Sequence, residues 1–170
     1  QQVGKRRRAS HYGYRDVDQH RRGHGAELGL DDDAQQAALQ STHGHGDHTA
    51  GNAALKSRTG ARVIIHEGDG DRYPGADVLL SNEKSLQLGD ITLDVIHTPG
   101  HTPGGICLHA QGNLFTGDTL FVGDSGRTDL AGGDRPTMGE SIRRLMELPE
   151  ETVVWPGHDY GPTRSSTLGW

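Results

Sequence analysis

The stretch Thr42-His43-Gly44-His45-Gly46-Asp47-His48 places three imidazoles and one carboxylate within six residues. A neutral imidazole nitrogen is a good ligand for a borderline divalent ion, and a carboxylate oxygen is a second choice. The interleaved glycines have no Cβ, so the backbone can turn sharply and bring these side chains to one point. A solvated His-rich turn is the alternative interpretation, but such tracts lack the interleaved aspartate and glycines. The stretch therefore predicts a metal-binding loop.

The bulk properties narrow the kind of protein that carries this loop. A chain of 170 residues predicts a single domain over residues 1–170, with its motifs in 41–170. The formal net charge of −6 argues against nucleic acid as a partner. The sequence contains no apolar run long enough to span a membrane, and residues 1–25 resemble a poorly ordered basic arm rather than a secretory signal. One cysteine, Cys107, permits no intramolecular disulfide, and we expect a cytoplasmic protein.

Apolar periodicity outlines an α/β order of elements around the loop. We predict a weak helix over 26–40, a short helix over 49–56 and a loop over 67–84. The later elements are a hairpin over residues 85–97 and a helix over residues 135–148. Short strands are predicted over residues 61–66, 105–109, 113–116 and 152–155. Trp155 is expected in the core, as is Cys107, and His66, His97 and His109 are expected to be sheet residues rather than ligands.

Three further polar residues each follow a glycine just after a predicted strand. Strand ends bring distant residues to one edge of a sheet, where ligand sites of layered α/β proteins collect. With the first stretch they give seven candidate ligands, too many for one tetrahedral ion but suited to two ions that share a carboxylate. The candidates are His43, His45, Asp47, His48, His101, Asp118 and His158.

These motifs resemble those of the metallo-β-lactamase fold superfamily, in the same order. The resemblance covers roughly residues 41–170 and implies an αββα sandwich with the metals at one edge. Three segments are similar to glyoxalase II (hydroxyacylglutathione hydrolase) and its relatives, among them the persulfide dioxygenases. They are Phe115-Thr116-Gly117-Asp118-Thr119-Leu120-Phe121, Gly126-Arg127-Thr128-Asp129-Leu130 and Pro156-Gly157-His158-Asp159-Tyr160-Gly161.

The resemblance implies a role for each candidate. One ion would be held by His43, His45 and His101, the other by Asp47, His48 and His158, with Asp118 as the bridge. Two divalent ions, preferably zinc with iron or manganese as alternatives, would generate a hydroxide that attacks a small-molecule thioester, preferably one linked to glutathione. Asp47 would orient that hydroxide, so Asp47 and Asp118 are the catalytic carboxylates. The resemblance also places Arg127 near the polar end of the substrate. Independently of the resemblance, Asp129 is expected to be a loop carboxylate, with a supporting bond to a ligand or to Arg127 as its alternative role, and Tyr160 is expected to line the pocket.

Other interpretations stay open at this point. A persulfide dioxygenase would hold a single iron through His43, His45, His101 and Asp118. An inactive truncated relative and a metal-storage module are the non-catalytic alternatives. Residues 1–40 lack the apolar strands that the family places before the first motif, and 37–41 is a poor strand. We therefore expect an incomplete N-terminal sheet and reduced stability, and the oligomeric state is left undetermined.

Overall fold

The structure, a computed structural model, describes residues 26–28, 38–81 and 83–170. Its strands are β1 Ala26–Leu28, β2 Ala38–Gln40, β3 Arg62–His66, β4 Val78–Leu80, β5 Glu83–Leu88, β6 Ile91–His97, β7 Ile106–Ala110, β8 Asn113–Gly117, β9 Val153–Pro156 and β10 Ser166–Thr167. Its helices are α1 Gly46–Thr49, α2 Asn52–Thr59 and α3 Arg135–Leu145, with a 3-10 turn at Glu67–Asp69. None of the helices in the described residues is long and apolar enough to cross a membrane.

The strands form two sheets. The larger has the order β1-β5-β6-β7-β8-β9-β10, and the smaller has the order β2-β3-β4. Strands β5 to β8 are antiparallel neighbours, whereas β8 and β9 run parallel, and so do the three strands of the smaller sheet. Because β8 and β9 are parallel, the residues that follow them emerge at the same edge of the larger sheet.

Side chains of β7 alternate between two cores. Ile106 and Leu108 face the smaller sheet and pack with Ile64 of β3, while Cys107 between them belongs to a second cluster with Leu145 of α3. This alternation is the two-residue period of a strand that is buried on both faces. With α2 against β3, the layers are helix, sheet, sheet and helix, and the predicted αββα sandwich is confirmed.

The expected helix over 26–40 is wrong where the structure describes it. Residues 26–28 and 38–40 are strands, and β2 pairs in parallel with β3 directly before the His-rich stretch. Ala-Leu-Gln has little strand propensity of its own, so pairing with the β-branched strand beside it decides its conformation. The predictions for residues 1–25 and 29–37 lie outside the described residues, which also leaves the expected incomplete N-terminal sheet a prediction.

Three smaller expectations also need correction. The predicted loop over 67–84 contains the 3-10 turn, β4 and the first residues of β5. Helix α3 ends at Leu145 rather than residue 148. Trp155 is 42% exposed, because Val154 takes the core position on β9 and Trp155 points to the opposite face. The hairpin of β5 and β6 and the burial of Cys107 are confirmed.

Candidate metal centre

The His-rich loop, residues 41–45, is attached to both sheets. The Ser41 amide donates to the carbonyl of Ile64 in the smaller sheet (3.1 Å). The carbonyl of Thr42 accepts from the amide of Ile106 in the larger sheet (2.9 Å). The chain then turns into α1, with His45 as its extended N-cap residue. The loop is therefore fixed at the edge where the two sheets meet.

The remaining candidates reach this edge from three strand ends. His101 lies in the loop after β6 (residues 98–105, the His101 loop), Asp118 directly follows β8, and His158 follows β9. The Gly157 amide donates to the Gly117 carbonyl (2.8 Å), which holds the ends of β8 and β9 together. All seven side chains predicted as ligands therefore lie at one edge of the sandwich.

His43, His45 and His101 form the first possible set of ligands. Their candidate ligand atoms lie within 4.8 Å of one another, and His45 Nδ1 is 2.9 Å from His101 Nε2. His101 Nδ1 lies 2.7 Å from the Arg127 carbonyl oxygen, which can only accept, so Nδ1 carries the proton. The Nε2 lone pair of His101 is consequently free to face the other two imidazoles.

Asp47, His48 and His158 form the second set. Their candidate ligand atoms also lie within 4.8 Å of one another. His48 Nε2 is 3.1 Å from His158 Nε2, and His158 Nε2 is 3.3 Å from Asp47 Oδ2. Asp47 is the exposed member, with its side chain 60% accessible, so this set opens toward solvent.

Asp118 lies between the two sets. Its Oδ1 is 3.3 Å from His48 Nε2, and its Oδ2 is 3.5 Å from His101 Nε2 and 3.4 Å from His158 Nε2. Asp118 also forms a third possible set with His43 and His48. A single carboxylate thus contacts imidazoles from both halves of the site, which is the position that a bridging ligand requires.

The geometry and the unpartnered atoms both fit metal ions. Two ligands at about 2.0–2.1 Å from a tetrahedral zinc ion are about 3.4 Å apart, close to the separations around Asp118. Two buried polar atoms at the site, His43 Nε2 and Asp118 Oδ1, make no well-aligned hydrogen bond among the described residues, although Asp118 Oδ1 lies 3.3 Å from His48 Nε2. Buried polar atoms are rarely left in this way, and a cation would satisfy both.

The local pKa shifts favour the neutral imidazole at His43 and His45 and the carboxylate at Asp118, whereas the shift at His48 favours the protonated imidazole. Burial, reinforced by the neighbouring His48, lowers the pKa of His43 to about 3, so this imidazole is neutral at physiological pH. Burial and then His101 lower the pKa of His45. The Asp118 carboxylate raises the pKa of His48 against the effect of burial. Burial acts to raise the pKa of Asp118, but His48, through a hydrogen bond and its charge, acts with His43 and His158 to lower the pKa overall.

A cavity of about 430 Å³ opens over the site. Arg127 lines it and is held by Asp129 through two hydrogen bonds of 2.7 Å, from Nε and Nη2. Tyr160 stacks on the ring of His158, with centroids 4.9 Å apart. The structure thus places both expected substrate-binding residues at the cavity wall.

Sequence reasoning missed several residues around the cavity and the ligands. Phe121 and Leu130 line the cavity, as do Asp124 and Ser125. Phe121 lies in the segment that resembles the family's bridging-aspartate segment, and this resemblance could have predicted its place near the site. Asp69 is buried against the His-rich loop. Its sequence neighbours are typical of an acidic surface turn, so the sequence does not indicate that it is buried.

Gly157→Ala tests how tightly the second set is packed. A Cβ at Gly157 would lie 2.6 Å from Asp118 Oδ1 and 2.7 Å from His48 Cε1, so both side chains must move. We expect the affinity for zinc to fall about 10–100-fold, as it does when groups that orient metal ligands are disturbed. Zinc titration of the metal-free protein measures this. Gly139→Ala is the control, because a Cβ there meets no atom within 4 Å. Equal zinc affinity in the two variants would contradict the tight packing.

The protein is an αββα sandwich that carries, at one edge, a cluster of histidines and aspartates able to hold metal. The chain belongs to the Metallo-beta-lactamase superfamily, whose sequence profile matches residues 27–158. A curated relative, hydroxyacylglutathione hydrolase of Rhizobium meliloti (strain 1021), is 40% identical over 128 residues. That match covers 74% of this chain and 49% of the relative. The chain spans about half the length of the curated relatives that it matches.

Solved structures agree with this assignment. ETHE1 from Myxococcus xanthus is 34% identical with a TM-score of 0.71, over 78% of this chain and 58% of that chain. TTHA1623, solved in a di-iron-bound form, is 34% identical with a TM-score of 0.65, over 78% of this chain and 72% of that chain. Both sequence identities are high enough to indicate common ancestry with this chain as well as a common fold.

Proposed function

We propose that this protein is a metal-dependent hydrolase that cleaves a small-molecule thioester, preferably an S-acylglutathione, in the cytoplasm. The observation that carries the proposal is the convergence of two ligand sets, each with three side chains, on the shared carboxylate of Asp118. The name of the curated relatives, hydroxyacylglutathione hydrolase, supports the choice of a thioester. The di-iron form of TTHA1623 supports two ions, for which zinc is our preferred identity and iron or manganese the alternative.

The donor set assigns the ions to named residues. His43, His45 and His101 would hold one ion, and Asp47, His48 and His158 the other, with Asp118 between them. When bound, such a pair of cations lowers the pKa of water and polarises a carbonyl group. No strong general acid is required, because a thiolate is a good leaving group.

The protein's own residues supply orientation and charge. Asp118 places a carboxylate against imidazoles of both sets, which keeps the halves of the site at a fixed separation. The Arg127 carbonyl keeps the proton of His101 on Nδ1, so that Nε2 always faces the site. Asp47 is exposed to the cavity, where its carboxylate can accept a hydrogen bond from the attacking water and orient it.

The walls of the cavity fit a substrate with a polar end and an apolar part. Arg127 presents a guanidinium held rigid by Asp129, and this pairing keeps the pKa of Arg127 above its usual value. Phe121, Leu130 and Tyr160 add apolar surface to the lining of the same cavity. A carboxylate of the substrate would meet Arg127, while its thioester would lie toward Asp118.

The direct test is thiol release from S-lactoylglutathione by the zinc-loaded protein, followed with a thiol-reactive dye. We expect release that depends on protein concentration and is absent from the metal-free protein. A zinc-loaded protein that leaves S-lactoylglutathione and related glutathione thioesters intact would contradict the proposed activity.

Arg127→Ala separates substrate binding from chemistry. If Arg127 holds the polar end of the substrate, its loss removes binding that is equal in the ground and transition states, so KM rises about tenfold while kcat stays nearly constant. Steady-state kinetics on S-lactoylglutathione measures both constants. The control is Arg143→Ala, an exposed arginine of α3 outside the cavity. An unchanged KM, or a loss confined to kcat, would remove Arg127 from its assigned role.

A second candidate function is oxidation of a persulfide at a single iron ion. The burial of the first ligand set favours this function. His43 and His101 are buried, and Asp118 Oδ2 lies 3.5 Å from His101 Nε2. These residues with His45 would suffice for one ion. Oxygen consumption with glutathione persulfide by an iron-loaded sample, without thioester hydrolysis by the zinc-loaded sample, would select this function.

A further inference from the structure

A fully buried carboxylate lies beside the proposed metal centre without belonging to any of the candidate ligand sets found in the described residues. It is Asp69, at the end of the 3-10 turn after β3, with 0% of its surface exposed. Burying an ionised carboxylate is unfavourable by several kcal/mol unless hydrogen bonds and charges compensate for the lost water. The groups that compensate Asp69 therefore indicate what it does.

Both loops that carry the first ligand set donate to this carboxylate. Asp69 Oδ2 accepts from the Gly44 amide of the His-rich loop (2.8 Å) and from the Thr102 hydroxyl of the His101 loop (2.7 Å). Asp69 Oδ1 accepts from the Gly104 amide of the His101 loop (3.1 Å). One side chain thus connects the backbone between His43 and His45 to the backbone that follows His101.

Arg72 connects a third loop to Asp69. Arg72 Nη1 lies 3.4 Å from Asp69 Oδ1, and Arg72 Nη2 donates to the carbonyl of Ala131. Ala131 belongs to the loop of residues 126–134, which also carries Arg127. The Asp69–Arg72 ion pair therefore joins the first ligand set to the segment that lines the cavity.

The backbone around Asp69 is packed too closely for a larger residue or an intervening water. A Cβ at Gly104 would lie 2.5 Å from the Asp69 nitrogen, and a Cβ at Gly44 would lie 2.7 Å from the Arg72 Cβ and 3.1 Å from the Asp69 Cβ. Each hydrogen bond to the carboxylate is therefore direct, and a change at Asp69 is transmitted to both loops.

We propose that Asp69 is a positioning residue that holds the His-rich loop and the His101 loop at the separation at which the ligands of the first set face one another. The inference rests on the proposed metal centre. The four donors around Asp69 match a carboxylate, which accepts hydrogen bonds through both oxygens. An asparagine would turn an amide N–H₂ toward donors and would lose the charge that pairs with Arg72.

The first test is amide hydrogen exchange of metal-free Asp69→Asn by NMR, a readout that needs neither metal nor activity. We expect exchange at Gly44 and Gly104 to accelerate about tenfold or more, since hydrogen bonds to a charged acceptor are lost. Exchange at Val95, in the middle of β6, should stay as in the wild type. Asp71→Asn is the matched control, the same change on an exposed carboxylate two residues away.

The second test is zinc titration of the same metal-free variants. We expect Asp69→Asn to weaken zinc binding about 10–100-fold, and Asp71→Asn to bind as the wild type does. Unchanged exchange at Gly44 and Gly104, or unchanged zinc affinity, would overturn the proposal. Acceleration shared equally by Val95 would also overturn it, because that result describes a general loss of stability rather than positioning.

Thr102→Val covers the case in which Asp69→Asn does not fold. It removes one donor to the carboxylate and keeps the shape of the side chain, so the exchange at Gly44 and Gly104 should accelerate less than in Asp69→Asn but above the wild type. No acceleration in Thr102→Val would then overturn the proposal. A wild-type protein that binds no zinc would instead contradict the proposed function, while the exchange pattern would still decide the role of Asp69.

Discussion

Asp118→Asn should lower thioester hydrolysis by at least about a hundredfold and leave the fold intact. Disturbing groups that merely orient a metal ligand costs 10–100-fold, and Asp118 is itself placed between both ligand sets. The asparagine has nearly the same shape but lacks the negative charge that would offset two bound cations. It also has one acceptor oxygen where the carboxylate has two, so it can no longer face His48 and His101 with equivalent atoms.

The measurement for Asp118→Asn is kcat/KM on S-lactoylglutathione, with zinc content determined on the same sample. Asp94→Asn is the control, because it makes the same chemical change on an exposed carboxylate of β6 that pairs with His109 away from the site. Far-UV circular dichroism should be the same for both variants. An Asp118→Asn protein with both its zinc and most of its activity would show that this carboxylate does not join the two halves.

Removal of the metal should abolish hydrolysis and lower the melting temperature by about 5–10 °C. Ligand present at a hundred times its dissociation constant stabilises the folded state by about 2.7 kcal/mol, and each kcal/mol corresponds to about 2–4 °C for a chain of this size. The candidate ligands come from four separate segments of the chain, so bound cations would also link the ends of β6, β8 and β9 to the His-rich loop.

Differential scanning calorimetry with and without a chelator measures this shift. Added zinc should restore both the melting temperature and the activity. The sequence-based expectation of reduced stability is tested in the same experiment. A cooperative transition well above the ordinary mesophile range, unchanged by chelator, would contradict both the metal dependence and the expected low stability.

The candidate ligands, which the structure brings to one edge of the sandwich, could be located from the sequence because each lies in a local pattern that chemistry explains. The stretch 42–48 is dense in donor atoms, and His101, Asp118 and His158 each follow a glycine at the end of a strand. Strand ends meet at one edge of a sheet whatever the length of the connections between them. The αββα sandwich was expected from the family resemblance, whereas the order of short strands and helices indicated only a layered α/β architecture.

Features that depend on distant partners were not predictable. The strand β2 has a sequence without strand character and forms because β3 offers it hydrogen bonds. Asp69 is 25 residues from Gly44 and 35 residues from Gly104, so no local pattern marks its role. Trp155 was assigned to the core for its size, whereas the alternation of β9 gives that position to Val154.

We propose that this chain holds two ions through two ligand sets that share Asp118. The most direct measurement is the metal-to-protein ratio of the zinc-reconstituted chain after removal of free zinc, by plasma mass spectrometry. We expect about two zinc ions per chain, falling to about one or fewer in Asp118→Asn. A wild-type ratio of one or below under saturating zinc would contradict it.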